Sequence, residues 1–201
     1  MTFYPLARTL LLPLVRRNID QVTGTEFLPA GGFILAPNHI DWLDGFYLAA
    51  AIESSLHRRT KFLTASNNYH WTGVAVQIPD QARGEILSMA VDELQRGSIV
   101  CNFPEGQRNS TDVILPGKTG CVRMALLSGV PIVPTGIIGE SGRTFGHSVK
   151  LGLSGLHPVS VHFGHPIEVV PPTGQPTHEW LMAETQRLMV AIAKLCGKRV
   201  Y

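Results

Sequence analysis

A histidine followed five residues later by an aspartate is the feature of this sequence best suited to chemistry. His39 comes directly after the apolar run 33–36, and Asp44 begins the segment 44–56. The run is typical of a buried strand and the segment of a helix, so His39 lies at a strand-to-helix turn. Such a turn can bring the imidazole onto the carboxylate, which leaves the other ring nitrogen free to accept a proton. We therefore expect His39 to be a general base oriented by Asp44.

The same residues also fit a purely structural role. Asp41 is placed to be the N-cap of the helix, and Asp44 lies in its first turn, where a carboxylate is favourable. His39 would then be an ordinary loop residue. The turn by itself leaves both interpretations open.

A second turn carries an arginine beyond a strand. The segment 98–103 is typical of a buried strand, and Pro104-Glu105-Gly106-Gln107-Arg108 follows it. Glycine lets a ligand approach the backbone closely, and the planar guanidinium of Arg108 can bind a phosphate through two hydrogen bonds. Taken alone, this segment is better explained as a turn with an exposed arginine.

Together these blocks resemble the glycerolipid acyltransferase family, whose best known members are the 1-acylglycerol-3-phosphate (lysophosphatidate) acyltransferases. The family's Asn-His-x-x-x-x-Asp, Phe-Pro-Glu-Gly-Thr-Arg and Val-Pro-x-x-Pro blocks occur here in the same order. The matching positions are Asn38, His39 and Asp44, then Phe103, Pro104, Glu105, Gly106 and Arg108, then residues 130–134. The resemblance extends over about residues 24–166, most of the chain.

This resemblance implies transfer of a fatty acyl group from an acyl thioester to a hydroxyl of a glycerolipid or lysophospholipid acceptor. The donor would be acyl-CoA or an acyl-carrier protein, with neither metal nor prosthetic group. His39 would be the base, Asp44 its orienting partner, and Glu105, Gly106 and Arg108 would position the polar head of the acceptor. Two alternatives remain: a non-catalytic lipid-binding or transfer protein on the same scaffold, and an acyl-thioester hydrolase.

The sequence departs from the family in two places. Gln107 stands where the family has threonine. The family's second block ends in an arginine that helps to hold the acceptor's phosphate, but residues 73–81 contain none. Arg83 is the nearest candidate to replace it.

Composition limits the remaining possibilities. The 201 residues are 44% apolar and 16% charged, with a formal net charge of +2, so we expect one globular domain over residues 1–201 that does not bind nucleic acid. Cys101 and Cys121 lie in strand-like and helix-like apolar runs, which favours buried packing thiols over nucleophiles. Three unpatterned cysteines indicate a reducing compartment.

The N-terminal residues 1–20 include a candidate membrane-interface helix. Leu6, Leu10 and Leu14 share one helical face, and nearby arginines can reach lipid headgroups. The alternative is a helix that packs on its own domain and bends at Pro13. No segment has the roughly 20 apolar residues of a membrane span, so we expect a peripheral protein at the cytoplasmic face of the membrane.

Strand-like and helix-like segments alternate along the chain. Strands are predicted at 33–36, 61–65, 74–78, 98–103, 131–138, 149–153 and 159–163, and helices at 44–56, 85–95, 119–128 and 177–195. This alternation predicts an α/β fold: a single layered domain with a mostly parallel mixed sheet, flanked by helices.

Overall fold

A mixed β-sheet forms the centre of the protein. The computed structural model describes residues 4–64, 75–77 and 83–201. Its strands are β1 (Ile19–Thr23), β2 (Phe33–Pro37), β3 (Thr60–Thr64), β4 (Ala75–Gln77), β5 (Ile99–Cys101), β6 (Val113–Ile114), β7 (Ile132–Ile138), β8 (Val159–Phe163) and β9 (Arg199–Val200). Within the described residues, seven of them form one sheet in the order β1-β8-β7-β2-β5-β3-β4, and β6 pairs with β9. All neighbours are parallel except β7 and β8.

Helices cover both faces of the sheet. They are α1 (Tyr4–Leu6), α2 (Leu12–Arg16), α3 (Asp44–Leu56), α4 (Arg83–Gln95), α5 (Gly120–Ser128), α6 (Phe145–Ser154) and α7 (His178–Cys196). A π-helical turn (Ala7–Leu11) joins α1 to α2, and a 3-10 turn (Thr25–Phe27) follows β1. These elements confirm the predicted α/β fold with a mostly parallel sheet.

Two apolar cores result from the alternation of side chains along the central strands. Phe33 and Leu35 of β2 pack with α3 on one face, whereas Ile34 and Ala36 pack with α4, α5 and α7 on the other. Because β2 is covered on both faces, all five of its residues are buried. This explains why its sequence is a continuous apolar run.

One predicted strand is wrong: residues 149–153 belong to helix α6. The side chain of Thr144 caps the first turn of this helix, and Gly155, with φ of 67°, ends it. Gly152 lets the helix lie close to the hydroxyl of Tyr47, since an added Cβ there would stand 2.9 Å from that oxygen. The end caps and the close packing at Gly152 therefore fit this segment to a helix, although its residues alternate as in a strand.

Three short strands were not predicted. β1 lies at an edge of the sheet and buries only Ile19, and β6 and β9 are two residues each. Such segments are too short or too exposed to give a clear apolar pattern. Residues 65–74 and 78–82, which include most of the second family block, lie outside the described residues.

The N-terminal helical segment, residues 4–16, packs on the rest of the chain. Leu12 is buried, and Leu11 and Val15 pack against the same core as α3. Nε of Arg8 lies 2.6 Å from a carboxylate oxygen of Glu53 on α3. This side of the helix therefore packs on its own domain, as one of the two interpretations of the sequence expects.

The opposite side of this segment faces outward. Leu6, Leu10 and Leu14 are 58%, 65% and 43% exposed, and we call them the leucine stripe. They are spaced four residues apart, as one helical face requires. No helix in the described part of the chain is long and apolar enough to span a bilayer.

Candidate active site

The turns that follow β2, β5 and β7 meet at one edge of the sheet. These three strands are adjacent and parallel, so their carboxyl ends point the same way. In open α/β sheets this edge is where ligands usually bind. It carries the block that contains His39 and Asp44, at residues 38–44, and the block that contains Arg108, at residues 103–108.

His39 and Asp44 are in direct contact, as the sequence predicted. Nδ1 of His39 lies 2.7 Å from Oδ2 of Asp44, and the imidazole stacks on Phe103 with ring centroids 4.0 Å apart. The side chain of His39 is 21% exposed. No described residue forms a hydrogen bond with Nε2 of the ring, so this nitrogen can accept a proton from a substrate.

Asp44 is held by backbone as well as by His39. Its Oδ2 also accepts hydrogen bonds from the amides of Ile40 (2.6 Å) and Asp41 (2.8 Å). The residue is fully buried, and burial raises the pKa of its carboxyl above the ordinary value, opposed by the His39 and backbone hydrogen bonds. Oδ1 has no hydrogen-bond partner among the described residues. This carboxylate therefore orients the imidazole at a cost in desolvation.

The backbone of His39 is clamped from the second turn. Its amide donates to Oε1 of Glu105 (3.1 Å), and its carbonyl accepts from the amide of Asn109 (2.6 Å). Oε2 of Glu105 accepts hydrogen bonds from Asn109 Nδ2 (2.9 Å) and the Leu115 amide (3.1 Å). Glu105 is only 4% exposed. Its carboxylate thus faces the protein and ties the two turns together.

Two other polar residues fix the first turn to its neighbours. The side chain of Asn38 pairs with the backbone of Ile137 in β7, accepting at 2.7 Å and donating at 3.0 Å. Asp41 Oδ2 accepts from the Gly142 amide (2.8 Å) and from Ser148 Oγ (2.6 Å). Both side chains are buried. They hold the turn between the sheet and helix α6.

The prediction that Asp41 is the N-cap of helix α3 is wrong. The helix begins at Asp44, and the capping position falls on Leu43, whose side chain offers no cap. Asp41 Oδ1 does accept from the Leu43 amide at 2.9 Å, but this hydrogen bond lies within the turn that precedes the helix. The other oxygen of Asp41 is used by helix α6, so the residue joins two elements.

Arg108 stacks on Trp42, a contact that the sequence did not predict. Its guanidinium carbon lies 3.1 Å from the centroid of the indole ring. Trp42 lies between His39 and Asp44 in the sequence. This contact therefore packs the arginine of the second turn against the turn that contains His39. Trp42 in turn meets Phe145 edge to face, with centroids 6.2 Å apart. Spacing alone could not reveal this, because the stacking residues are 66 positions apart in the chain.

Of the other predicted binding residues, the structure describes the side-chain positions of some but not of Arg83. Gly106 and Arg108 are exposed. Gly106 has a φ of 70°, a conformation that favours glycine. Arg83 is the first residue of α4, and its side chain lies outside the described residues.

The cysteines are buried, as predicted. Burial raises the pKa of Cys121 to about 12 and that of Cys101 well above its ordinary value. Cys121 accepts a hydrogen bond from Asn102 Nδ2. A thiol with a raised pKa is a poor nucleophile, so neither cysteine is suited to form an acyl-enzyme.

Comparison with known proteins agrees with this geometry. Residues 20–138 match the family model described as Acyltransferase. A 1-acyl-sn-glycerol-3-phosphate acyltransferase of Bacillus subtilis (strain 168) is 29% identical over 202 residues, which cover 96% of each chain.

A solved structure shares the fold. The crystal structure of the 1-acyl-sn-glycerophosphate (LPA) acyltransferase PlsC from Thermotoga maritima matches with a TM-score of 0.57 and 19% identity. The match covers 94% of this chain and 82% of that one. Because the family match covers more than half of the sequence and includes both turns, the chain belongs to the acyltransferase family.

Proposed function

We propose that this acyltransferase moves a fatty acyl group from an acyl thioester to the free hydroxyl of a 1-acylglycerol-3-phosphate-type lipid. The observation that carries the proposal is the His39–Asp44 contact on a turn that also holds the Arg108 guanidinium against Trp42. The turn that carries the proton acceptor therefore also provides the indole ring on which the cationic group of the second turn is stacked. The acceptor class is that named for the Bacillus subtilis relative and the Thermotoga maritima structure.

The base in this reaction is Nε2 of His39. Nδ1 keeps its proton because it donates to Asp44, so Nε2 can take the proton of the acceptor hydroxyl. The hydroxyl oxygen then bonds to the thioester carbonyl carbon and the carbon–sulfur bond breaks. The proton passes from the imidazolium to the leaving thiolate, and the products are an ester and a free thiol. The thiol belongs to CoA or to an acyl-carrier protein.

The two turns have different tasks in this scheme. Arg108, exposed and stacked on Trp42, has its N–H edges available for the phosphate of the acceptor. Glu105 acts as a positioning residue, since its oxygens already bind the backbone of His39 and the segment after it. We propose no direct contact between Glu105 and the acceptor.

The leucine stripe suits a protein that takes its acceptor from a membrane. Exposed leucines on a helix that is anchored by its other side can enter the interfacial region of a bilayer. We propose peripheral binding at the cytoplasmic membrane face, with the substrates reaching the His39 turn from the lipid surface.

One assay separates this proposal from its alternatives. Purified protein is given acyl-CoA or acyl-carrier-protein thioester, with and without 1-acylglycerol-3-phosphate, and both free thiol and diacyl product are measured. We expect thiol release only with the acceptor, in amounts equal to the diacyl product. Release without acceptor would indicate a hydrolase. Lysolipid binding with no release from either donor would indicate a lipid carrier.

The His39→Ala variant tests the base. We expect kcat to fall by about 10²–10⁴-fold, the usual contribution of a general base. The fold should persist because the side chain is partly exposed in a turn, and circular dichroism checks this. His178→Ala, an exposed histidine at the start of α7, is the matched control and should retain wild-type turnover. A folded His39→Ala protein with most of its activity would exclude the base assignment.

A further inference from the structure

Lys118 lies across the second turn, a position to which the proposed mechanism gives no role. An added Cβ at Gly106 would stand 2.7 Å from Cε and 3.0 Å from Cδ of Lys118, and it would also collide with Nζ. The backbone amide of Lys118 donates to the carbonyl of Pro104 at 2.8 Å. The backbone of Lys118 is therefore hydrogen-bonded to the turn that carries Arg108, and its side chain lies against Gly106 of that turn.

Neither cation of this turn is neutralised by the protein. In the described part of the chain no carboxylate forms an ion pair with Lys118 or Arg108. The nearest acid in sequence, Glu105, faces inward with both oxygens bonded. Both cationic side chains are exposed. Two positive charges without a protein partner therefore lie at this turn, Arg108 stacked on Trp42 and Lys118 beside Gly106, which favours an anion with more than one negative charge.

We infer that Lys118 and Arg108 together bind the phosphomonoester of the acceptor, and that Lys118 determines specificity for a monoester. This inference rests on the proposed function. A phosphomonoester carries about −1.5 to −2 charges near neutral pH, whereas a headgroup phosphodiester carries one. Arg108 offers a planar fork and Lys118 a point charge, so the two can contact different oxygens of one phosphate. Lys118 thus supplies a second cation in place of the phosphate-binding arginine that residues 73–81 lack.

Binding measured without the donor tests the inference independently of turnover. Calorimetry with short-chain 1-acylglycerol-3-phosphate and with the phosphodiester lysophosphatidylglycerol is run on wild type, Lys118→Gln, Lys118→Arg and Lys194→Gln. Lys194 is an exposed lysine of α7, so its variant removes the same charge elsewhere. We expect Lys118→Gln to bind the monoester about tenfold more weakly, as for one lost hydrogen bond to a charged group.

The other variants and ligands sharpen this result. In Lys118→Gln, affinity for the phosphodiester should fall much less than affinity for the monoester. Lys118→Arg should keep most of the wild-type affinity for the monoester, and Lys194→Gln should bind both ligands as wild type does. In turnover, Lys118→Gln should raise KM for the acceptor with kcat within about twofold of wild type. Unchanged monoester affinity, or an increase in KM for the thioester alone, would overturn the inference. A wild type that binds the monoester without turnover would overturn the proposed function instead.

Gly106→Ala provides a second route to the same test. The added methyl would displace the Lys118 side chain, so acceptor affinity should fall as in Lys118→Gln. Gly129→Ala is the matched control, since Gly129 has a nearly equal φ of 71° but no atom within 4 Å of an added Cβ. Both variants incur the same backbone strain. Equal acceptor affinity in the two would contradict the placement of Lys118.

Discussion

Asp44 combines its proposed role in orienting His39 with a cost to the folded state. Its carboxylate accepts three hydrogen bonds through one oxygen, while the other oxygen is buried without a partner among the described residues. Burial raises the pKa of this carboxyl above its ordinary 3.8, because a charge in the interior is poorly solvated. The protein therefore gives up stability to keep an anion beside His39.

The Asp44→Asn variant should separate these two effects. With a raised pKa in the folded state, protonated Asp44 stabilises the fold at low pH, and this contribution is lost as pH rises through that pKa. Asparagine keeps an acceptor without the charge. We expect its free energy of unfolding to exceed that of wild type by more at pH 7 than at pH 4, while kcat falls by about 10²–10⁴-fold.

Urea unfolding at the two pH values measures the stability difference, and Asp20→Asn on the exposed side of β1 is the control. A difference that is larger at pH 4, or a variant that keeps wild-type kcat, would show that Asp44 is not a buried anion acting on His39.

The contact between His39 and Asp44 could be predicted because it is local: a strand end, a short turn and a helix start bring the pair together. The partner of Arg108 could not, since Trp42 is distant in sequence and the stack forms only when two turns meet at the sheet edge. The inward direction of Glu105 was hidden for the same reason. Its hydrogen-bond donors lie on both turns, and a motif records residue types without side-chain directions.

At the scale of elements, the site depends on how the turns after β2 and β5 are joined. Glu105 is the main connection, with one oxygen bound to the His39 amide and the other to Asn109 and Leu115. In Glu105→Gln, an NH₂ group replaces one of these oxygens. That donor would then face the N–H donors that the oxygen now accepts from, and they would be left without an acceptor. We expect unfolding to become easier by roughly 1–3 kcal/mol, the cost of a buried unsatisfied polar group.

Turnover should fall in the same variant, because the backbone of His39 loses part of its support. Urea unfolding together with kcat at saturating substrate tests this expectation. Glu184→Gln is the control, since that residue forms a surface pair with Arg187 at 2.8 Å, where a change of under about 1 kcal/mol is expected. Equal stability of the two variants would mean that Glu105 does not join the turns.

Helix α6 shows the limit of sequence patterns at this scale. Residues 149–153 alternate as in a strand, but Thr144 and Gly155 define the helix ends, and Gly152 allows close packing on Tyr47. The central strands were predicted correctly because burial on both faces leaves continuous apolar runs. Edge strands such as β1 leave almost none.

For the whole molecule, we infer that the described residues form one folding unit. The strand order interleaves distant parts of the chain, with β1 beside β8 and β2 between β5 and β7. The N-terminal helices pack on the same core as α3. The sheet edge with the candidate active site and the outward leucine stripe therefore belong to one body, which makes the membrane proposal testable by changing the stripe alone.

Replacing Leu6, Leu10 and Leu14 by serine should remove membrane binding but leave the chemistry intact. Burial of each leucine in a bilayer interface is worth up to roughly 1.5–3 kcal/mol, so partitioning onto phosphatidylglycerol vesicles should fall at least about a hundredfold. Turnover of acceptor in vesicles should fall with it, whereas turnover of a short-chain monomeric acceptor should stay near wild type, because these side chains already face outward. The control carries serine at Leu127 and Val170, which are also exposed. Equal sedimentation of both variants with vesicles would place the membrane contact elsewhere on the surface.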